Sequence, residues 1–344
     1  MIQRDTLVDA LALAARFTRT NSGGLPVLGM VLMRPNAICA SNLEQHVQVT
    51  VNTGLNTEIV VPAKRFLGWA RHIPAGPIEI ANKGGVLYLE SGNYKATLPT
   101  VSADEFPLVH PVTGTAFRFD PALADSVLYA VAKEETRPAL AGVYCDAHDG
   151  WIHLSAANGY VLAQVKAPCG DYTGSFLLPA DTLRLLRHIS DEPVMATVDD
   201  QHNTVQFDGA RGIVTSQLIE AVFPNVTAVI PTNEPVASCQ VTGLKEALLA
   251  LTPLVPDVNL VLLELAENCL TLSTQGNDGI TGQVRVPTMY SGVPAKIALA
   301  LPYLLNVANK SEAVTLEFRG ETVLFVARAN DNEFDGIMPM HITK

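Results

Sequence analysis

Residues 174–188 read GSFLLPADTLRLLRH, a short apolar strand pattern that runs straight into a helical one. Pro179 stands where the strand must stop, because proline offers no N–H to a sheet and its fixed φ suits the first turn of a helix. Leu183 and Leu186 follow four and seven residues later, which places both on one helical face. This stretch predicts a strand-to-helix unit.

The same pattern occurs twice more. Residues 57–71 read TEIVVPAKRFLGWAR and residues 295–309 read AKIALALPYLLNVAN, with Ala300 in the place of the proline. The corresponding apolar helix pairs are Phe66 with Trp69 and Leu304 with Val307. The start points 62, 179 and 300 lie 117 and 121 residues apart. A repeat with so long a period indicates tandem domains.

Length and composition agree with this division. The chain has 344 residues, of which 48% are hydrophobic and 17% charged, and three domains of ordinary size fit into it. Proline-bearing links at 106–112 and 223–235 place the joints near residues 113 and 233. We therefore predict three domains, residues 1–112, 113–232 and 233–344.

The totals also bear on location. No apolar run approaches the ~20 residues of a membrane span, and residues 1–5 lack the apolar core of a signal peptide. The five cysteines are odd in number and scattered, which is typical of a reducing compartment. We expect a cytoplasmic protein that does not bind membranes.

Each third opens on a second helical pattern, over residues 4–19, 120–133 and 241–253. The apolar stripes of these helices consist of Leu7, Leu11 and Ala14, then Leu123, Val127 and Val131, then Leu244, Leu248 and Leu251. Strand patterns separated by turn residues follow each helix. Asp149-Gly150 between two apolar runs is a strong hairpin signal.

Charge is distributed unevenly over a chain whose formal net charge is −11. The six predicted helices, over residues 4–19, 62–74, 120–133, 179–190, 241–253 and 300–310, carry 11 basic and 6 acidic residues, whereas the remainder carries 12 basic and 28 acidic ones. Lysine and arginine are good helix formers, which alone accounts for part of the excess. Helices gathered on one surface would nevertheless give an acidic protein a positive face.

Several short motifs match one family in their order and spacing. They are residues 25–29 (LPVLG), 61–64 (VPAK), 105–107 (EFP), 137–140 (RPAL), 157–163 (ANGYVLA), 223–224 (FP) and 338–340 (MPM). Together with the threefold repeat, these residues resemble the beta subunit of bacterial DNA polymerase III, the sliding clamp. The resemblance covers essentially the whole chain.

The resemblance implies an α+β fold of three tandem clamp-type domains, each with two helices packed on β-sheets, and two subunits that close head to tail into a six-domain dimeric ring. Such a ring encircles duplex DNA without reading its sequence and tethers the replicative polymerase, without catalytic activity or cofactor. The helices would then face the DNA. The candidate DNA-facing residues are Arg19, Lys64, Arg65, Arg71, Lys133, Arg184, Arg187, Lys245 and Lys310.

The resemblance also implies a groove that binds a short linear peptide shared by DNA polymerases and the clamp loader. The matching positions are Leu140, Ala157, Gly159, Tyr160, Val161, Leu162, Pro224, Ala228, Val229, Ala300, Tyr303, Val323, Phe325, Ile337, Met338, Pro339 and Met340. An apolar groove with flexible methionines suits varied peptides. The alternative for each position is an ordinary core or strand residue.

Some positions depart from the family pattern. The family usually has Thr-Asp ahead of the glycine and an arginine two residues after it, where this chain has Ala157-Asn158 and Val161. Ala300 replaces a usual polar residue, and residues 341–344 replace a usual Arg-Leu end. These changes make the groove more apolar. They motivate an alternative role as a specialised or inhibitor-resistant clamp variant that acts as an interaction hub.

A third hypothesis is an enzyme. Cys145, His148 and His153 faintly resemble metal ligands or a Cys–His nucleophile, but they flank the predicted turn at Asp149-Gly150, where a solvated hairpin is the simpler interpretation. The sequence contains neither a phosphate-binding loop of the form G-x-x-x-x-G-K nor a dinucleotide fingerprint. We expect no metal and no catalytic residue.

Overall fold

The computed structural model describes residues 1–19, 24–107, 109–133, 137–255, 259–276, 279–321 and 323–340. Within these residues the protein is an α+β structure in which every strand pairing is antiparallel. Its α-helices are α1 Arg4–Ala15, α2 Ala63–His72, α3 Ala124–Val127, α4 Ala180–Ile189, α5 Leu244–Leu251 and α6 Leu301–Ala308.

The chain forms two compact units. The first consists of residues 1–122, 169–172 and 181–218. Its strands are β1 Ile2–Gln3, β2 Met30–Arg34, β3 Ala37–Ser41, β4 Gln45–Thr50, β5 Ile59–Pro62, β6 Pro77–Lys83, β7 Val86–Ser91, β8 Tyr94–Pro99, β9 Thr115–Phe119, β14 Val194–Asp199, β15 Thr204–Gly209 and β16 Gly212–Gln217. They form a four-stranded sheet in the order β1-β6-β7-β8 and an eight-stranded sheet in the order β5-β2-β3-β4-β16-β15-β14-β9.

The second unit consists of residues 123–168, 173–180 and 219–344. Its strands are β10 Gly142–His148, β11 Trp151–Ala157, β12 Val161–Pro168, β13 Gly174–Pro179, β17 Ala237–Thr242, β18 Leu260–Ala266, β19 Cys269–Gln275, β20 Thr281–Pro287, β21 Ala295–Ala300, β22 Ala313–Phe318, β23 Phe325–Arg328 and β24 Glu333–Ile337. They form an eight-stranded sheet in the order β13-β10-β11-β12-β24-β23-β22-β17 and a four-stranded sheet in the order β20-β19-β18-β21.

All three strand-to-helix units are present. Strands β5, β13 and β21 run directly into α2, α4 and α6. Pro62 and Pro179 each form the last strand residue, and the helix begins at the next position, as the missing N–H of proline requires. The apolar helix positions Phe66, Leu183 and Leu304 are completely buried. The predicted apolar face of each helix is therefore buried.

The helical patterns at the start of each third are only partly regular. Residues 120–133 do not form one helix: a 3-10 turn at Pro121–Leu123, the single turn of α3 and a second 3-10 turn at Leu128–Ala130 follow one another. In the last third, Val241 belongs to β17, and α5 begins only at Leu244. The predicted apolar stripes are nevertheless buried in all three segments, because their side chains pack against a sheet even where the backbone is irregular.

The two eight-stranded sheets cross the predicted domain boundaries. Strand β4 of the first third pairs with β16 of the second, where Val47 lies opposite Val214. Strand β12 of the second third pairs with β24 of the last, where Val161 lies opposite Ile337. The three-domain division therefore stays a prediction. Strand pairing between the thirds of the chain could not be seen in the sequence.

The remaining sequence expectations have simple outcomes. The hairpin between β10 and β11 turns at Asp149 and Gly150, both with positive φ, which suits a tight two-residue hairpin. All five cysteines lie within the described residues and are free thiols, without a disulfide bond. In the part of the chain that the structure describes, no helix is long and apolar enough to cross a membrane.

His46 in β4 provides a test of the packing in the first unit. Burial, with a smaller contribution from Arg34, lowers the pKa of His46 to about 4, and its ring lies edge-on to Phe106 at 6.2 Å. The unfolded chain takes up a proton near pH 6.5 and the folded chain only near pH 4. Stability contributed by neutral His46 is therefore present above pH 6.5 and lost as the pH falls to 4, by at most about 3 kcal/mol.

We expect His46→Phe to flatten the pH dependence of the free energy of unfolding between pH 6.5 and pH 4. Urea denaturation at a series of pH values measures this. The control is His72→Phe, at an exposed position on α2, which should keep the wild-type slope. Equal slopes for His46→Phe and the wild type would contradict the half-buried, neutral state of His46.

Candidate functional site

The floor of the predicted groove lies in the eight-stranded sheet of the second unit. Val161 at the start of β12 pairs with Ile337 at the end of β24, and Phe325 at the start of β23 pairs with the same Ile337. These three side chains are almost completely buried, as is Leu162. Val161, Phe325 and Ile337 share one face of these strands, whereas Leu162 lies on the other face, where it forms the apolar floor of the groove with Val326 and Phe334.

The turn before β12 shapes one rim. The Asn158 carboxamide oxygen accepts hydrogen bonds from the backbone N–H groups of Tyr160 (2.9 Å) and Val161 (3.0 Å). Gly159 has φ +92°, a backbone conformation that suits glycine. This turn leaves the Tyr160 side chain 67% exposed. The Asn158 amide donates to the Tyr303 hydroxyl at 3.2 Å, which connects the turn to α6.

The segment after β24 runs along the same rim. The backbone N–H of Met338 donates to the carbonyl of Tyr160 at 2.9 Å. Two residues later, the N–H of Met340 donates to the carbonyl of Ala298 in β21 at 2.8 Å. Met338 is 47% exposed, whereas Pro339 and Met340 are half-buried. Main-chain hydrogen bonds thus hold a flexible, apolar side chain at the edge of the floor.

The second rim is the segment that links the second and third predicted domains. The ring of Phe223 stacks on Tyr144 at 5.3 Å and packs in a cluster with Leu140 and Leu177. Val226 packs against this cluster and also against a second one around Leu162. The predicted groove positions Pro224, Ala228 and Val229 are exposed on this rim, Val229 by 58%, and so are the polar residues Asn225 and Thr227.

Both rims carry side chains of the predicted groove set. None of the seventeen predicted groove residues carries a charge. Ala157 packs in both apolar clusters, Ala300 ends β21, and Val323 lies in the loop before β23, 38% exposed. A patch of exposed apolar side chains over a buried floor is typical of a binding site for an apolar peptide.

In the first unit, helix α2 separates its apolar and basic residues. Phe66, Leu67 and Ala70 are buried, whereas Lys64, Arg65 and Arg71 are exposed. Arg19, beyond the end of α1, is exposed as well. Helix α4 presents Arg184, which pairs with Asp181 at 2.6 Å, and the half-buried Arg187. Most of the candidate DNA-facing positions are thus open to solvent.

Further basic groups of this unit are not among the predicted DNA-facing residues. Burial lowers the pKa of His188, and the nearby charges of Arg16 and Arg211 lower it further. Arg211 donates to the carbonyl of His188 at 3.2 Å, at the end of α4. Arg211 lies in a strand turn, so a count over helices could not include it. Basic side chains from α1, α4 and a strand turn therefore lie near one another.

In the second unit, Lys133 and Lys245 are exposed, but Lys310 does not fit the DNA-facing set. Its side chain is only 7% exposed, and its ammonium contacts the buried carboxylate of Asp335 at 2.7 Å. Because an ammonium held in a buried ion pair is withdrawn from solvent, we remove Lys310 from the candidate DNA-facing residues.

The candidate catalytic groups do not form a site. Cys145 is completely buried, and burial raises the pKa of its thiol, which is the opposite of what a nucleophile needs. His148 and His153 stack on each other at 4.8 Å beside the hairpin turn. Within the described ranges, no three histidine, cysteine or carboxylate groups are placed to hold a metal ion.

Comparison with known proteins identifies the family. The family model of the DNA polymerase III beta subunit, N-terminal domain, matches residues 1–110, and that of its central domain matches residues 122–225. The beta sliding clamp of Pseudomonas aeruginosa is 23% identical over 367 residues, covering 99% of each chain.

Solved structures show the same fold. A Pseudomonas aeruginosa DnaN sliding clamp bound to griselimycin has a TM-score of 0.90 at 21% identity and covers 99% of this chain and 98% of its own. A DNA polymerase sliding clamp from Bacillus subtilis has a TM-score of 0.90 at 18% identity over the same shares.

The fold and these matches thus define a sliding clamp of DNA replication. Because the two family models together match more than half of its residues, the chain belongs to the DNA polymerase III beta subunit family. Members of this family are in general processivity factors without catalytic activity.

Proposed function

We propose that the protein works as a cytoplasmic homodimeric ring that encircles double-stranded DNA and tethers a replicative polymerase, without catalysis or cofactor. One observation carries this proposal. Each unit contains one eight-stranded sheet and one four-stranded sheet. Within the described residues, β8 and β20 each pair on one side only, so two half-sheets remain that a second copy of the chain can complete.

The internal repeat identifies β8 and β20 as the joining strands. Counted from Pro62, Pro179 and Ala300 through successive strand pairs, Gln48, Gln164 and Gln283 hold the same place in β4, β12 and β20. Strands β4 and β12 are those that join the two eight-stranded sheets. Strand β20 is therefore the third member of that set.

The joining partners repeat in the same way. Gln48 lies opposite Ile213, and Gln164 lies opposite Phe334. The count starts at the last buried residue in the first strand of each sheet half, which is Ile2, Phe119 or Val241. From there, Lys95 in β8 holds the place of these two partners. We therefore expect Lys95 of one protomer to lie opposite Gln283 of its partner, in an antiparallel pair that completes an eight-stranded sheet.

This register places apolar side chains together. It sets Tyr94 opposite Val284 and Leu98 opposite Ile280, on the same face of each strand, since alternate residues share a face. Tyr94 is 47% exposed and Leu98 is buried. Exposed edges of this kind favour pairing with another chain. Two such contacts per dimer would close a ring.

A covalent test combines the interface with the topology. We expect Thr97→Cys with Thr281→Cys, in a Cys269→Ser background, to form disulfides between protomers, because opposed residues of antiparallel strands lie within disulfide range. The protein is mixed with a linear plasmid, the plasmid ends are ligated and the cysteines are oxidised. Crosslinked protein should then stay on the circle in detergent and leave after the plasmid is cut.

The matched control moves one cysteine by two residues, to Thr97→Cys with Gln283→Cys, and should crosslink poorly. Equal crosslinking of both pairs would contradict the register. Protein that stays on the cut plasmid as firmly as on the circle would contradict encirclement.

The basic residues of the first unit would face the phosphates without reading bases. We expect Arg65→Glu with Arg71→Glu to lower recovery of the protein on circular DNA by roughly ten-fold at moderate salt, since phosphate contacts supply non-specific affinity. The control reverses two exposed basic residues on strands, Lys83→Glu with Arg118→Glu. If both pairs behave alike, α2 does not face DNA.

The apolar groove would receive a short peptide from the polymerase or the clamp loader. Because none of the predicted groove residues is charged, we expect this peptide to be held mainly by apolar side chains, with the Arg137 guanidinium beside Gly159 as a neighbouring charge. The same feature favours the second candidate function, a specialised or inhibitor-resistant clamp variant that serves as an interaction hub. A clamp-binding peptide that binds with ordinary affinity would remove the reason for that alternative.

A further inference from the structure

A buried ion pair lies beneath the C-terminal strand of the second unit. Asp335, in the middle of β24, has no exposed surface. The Lys310 ammonium donates to both of its oxygens, at 2.7 and 2.8 Å, and the Tyr129 hydroxyl donates to one of them. Lys310 also lies 3.3 Å from a Glu333 oxygen and 5.2 Å from the centre of the Tyr129 ring. Three separate chain segments thus meet at one carboxylate.

The fold itself does not require these charges. By the internal repeat, the counterpart of Asp335 in the first unit is Val214, one residue after Ile213, and the counterpart of Lys310 is Ile189, ten residues after Pro179. Val214 and Ile189 are both completely buried. Two buried apolar residues therefore stand at these positions in the other unit. Because apolar substitutes for buried ion pairs are often as stable or more so, stability alone does not explain the charges.

The position of Asp335 suggests a role for the charges of Lys310 and Asp335. Ile337 comes two residues later on the same face of β24, and Met338 and Met340 follow on the rim of the groove. We propose that Lys310 and Tyr129 are positioning residues that fix the register of β24 through Asp335 and so hold residues 337–340 in place for the peptide. This inference rests on the proposed peptide-binding function of the groove.

The physical reason is specificity of register. A slip of one residue would turn every side chain of β24 to the other face and leave Lys310 and Asp335 buried without each other. The cross-strand neighbours of Asp335 are Ala163 and Ala327, whose small side chains offer no comparable resistance to a slip. Burial raises the pKa of the Asp335 carboxyl, against the opposing effect of Lys310.

The test copies the two apolar residues of the first unit. In the double variant Lys310→Ile with Asp335→Val, we expect the thermal midpoint and the dimer dissociation constant to stay near wild type or improve. Affinity for a fluorescent clamp-binding peptide should fall by roughly ten-fold, since a coupled but untouched site loses its fixed arrangement. A merely structural ion pair would leave the peptide affinity unchanged, and that result would overturn the proposal.

A milder variant guards against misfolding. Tyr129→Phe removes one donor to Asp335 and keeps the aromatic ring, so we expect a smaller loss of peptide affinity with the fold intact. Wild-type affinity in a folded Tyr129→Phe protein whose double variant does not fold would also overturn the proposal. Val229→Asp in the groove separates the two hypotheses. If Val229→Asp binds the peptide normally, the groove assignment fails; if only Val229→Asp weakens binding, the positioning role fails.

Discussion

Tyr94→Asp should convert the dimer into monomers at concentrations where the wild type is fully dimeric. In the proposed register Tyr94 lies on the edge strand β8 opposite Val284 of the partner. The substitution would bury a carboxylate without a partner against an apolar strand, at a cost of several kcal/mol per contact. We therefore expect the dimer dissociation constant to rise by roughly 100-fold or more. Sedimentation equilibrium measures it directly.

The chain offers a matched control for this variant. Tyr88 lies on β7 of the same sheet and is 46% exposed, against 47% for Tyr94, but β7 is not an edge strand. Tyr88→Asp should leave the dimer constant unchanged. Both variants should keep the wild-type thermal midpoint as monomers, since each side chain is half exposed in one protomer. A dimer that withstands Tyr94→Asp would exclude β8 as the joining strand.

Val229→Asp should weaken binding of a clamp-binding peptide by roughly 30-fold, which corresponds to the loss of one central apolar contact of about 2 kcal/mol. Val229 is 58% exposed on the rim beside Pro224 and Ala228. A charge there would lose its hydration when the peptide covers it. Fluorescence anisotropy with a labelled peptide provides the measurement, and the dimer constant should not change.

Val236→Asp is the corresponding control. Val236 belongs to the same connecting segment and is 62% exposed, but it lies next to β17 and outside the groove set. It should bind the peptide as the wild type does. Equal weakening by both variants would mean that the segment, and not the groove, senses the charge.

Much of the fold could be predicted from local signals. Pro62 and Pro179 mark the strand-to-helix transitions because proline acts on its own backbone and needs no tertiary context. The apolar stripes of α1 and α5 were predicted correctly because the spacing of apolar residues is also a local signal. The break in the helix at 120–133 was not predicted, because the periodicity of the buried side chains continues while the backbone hydrogen bonding changes.

The site was harder to foresee. The groove positions came from a family resemblance, and the turn at Asn158 or the contact between Met338 and Tyr160 has no local signal. Lys310 was assigned to the DNA because it ends a helix pattern. Its partner Asp335 lies 25 residues away and is brought to it only by the sheet. Charge counted along a chain does not distinguish a solvated cation from a neutralised one.

The sharing of sheets between thirds of the chain has a practical consequence. Cutting the gene at residue 112 or 232 would separate β4 from β16, or β12 from β24. Each fragment would expose a strand whose backbone N–H and C=O groups have lost their partners and whose side chains are adapted to a neighbouring strand. Such fragments should aggregate or exchange strands when each is expressed alone. They should become soluble when the two complementary fragments are expressed together.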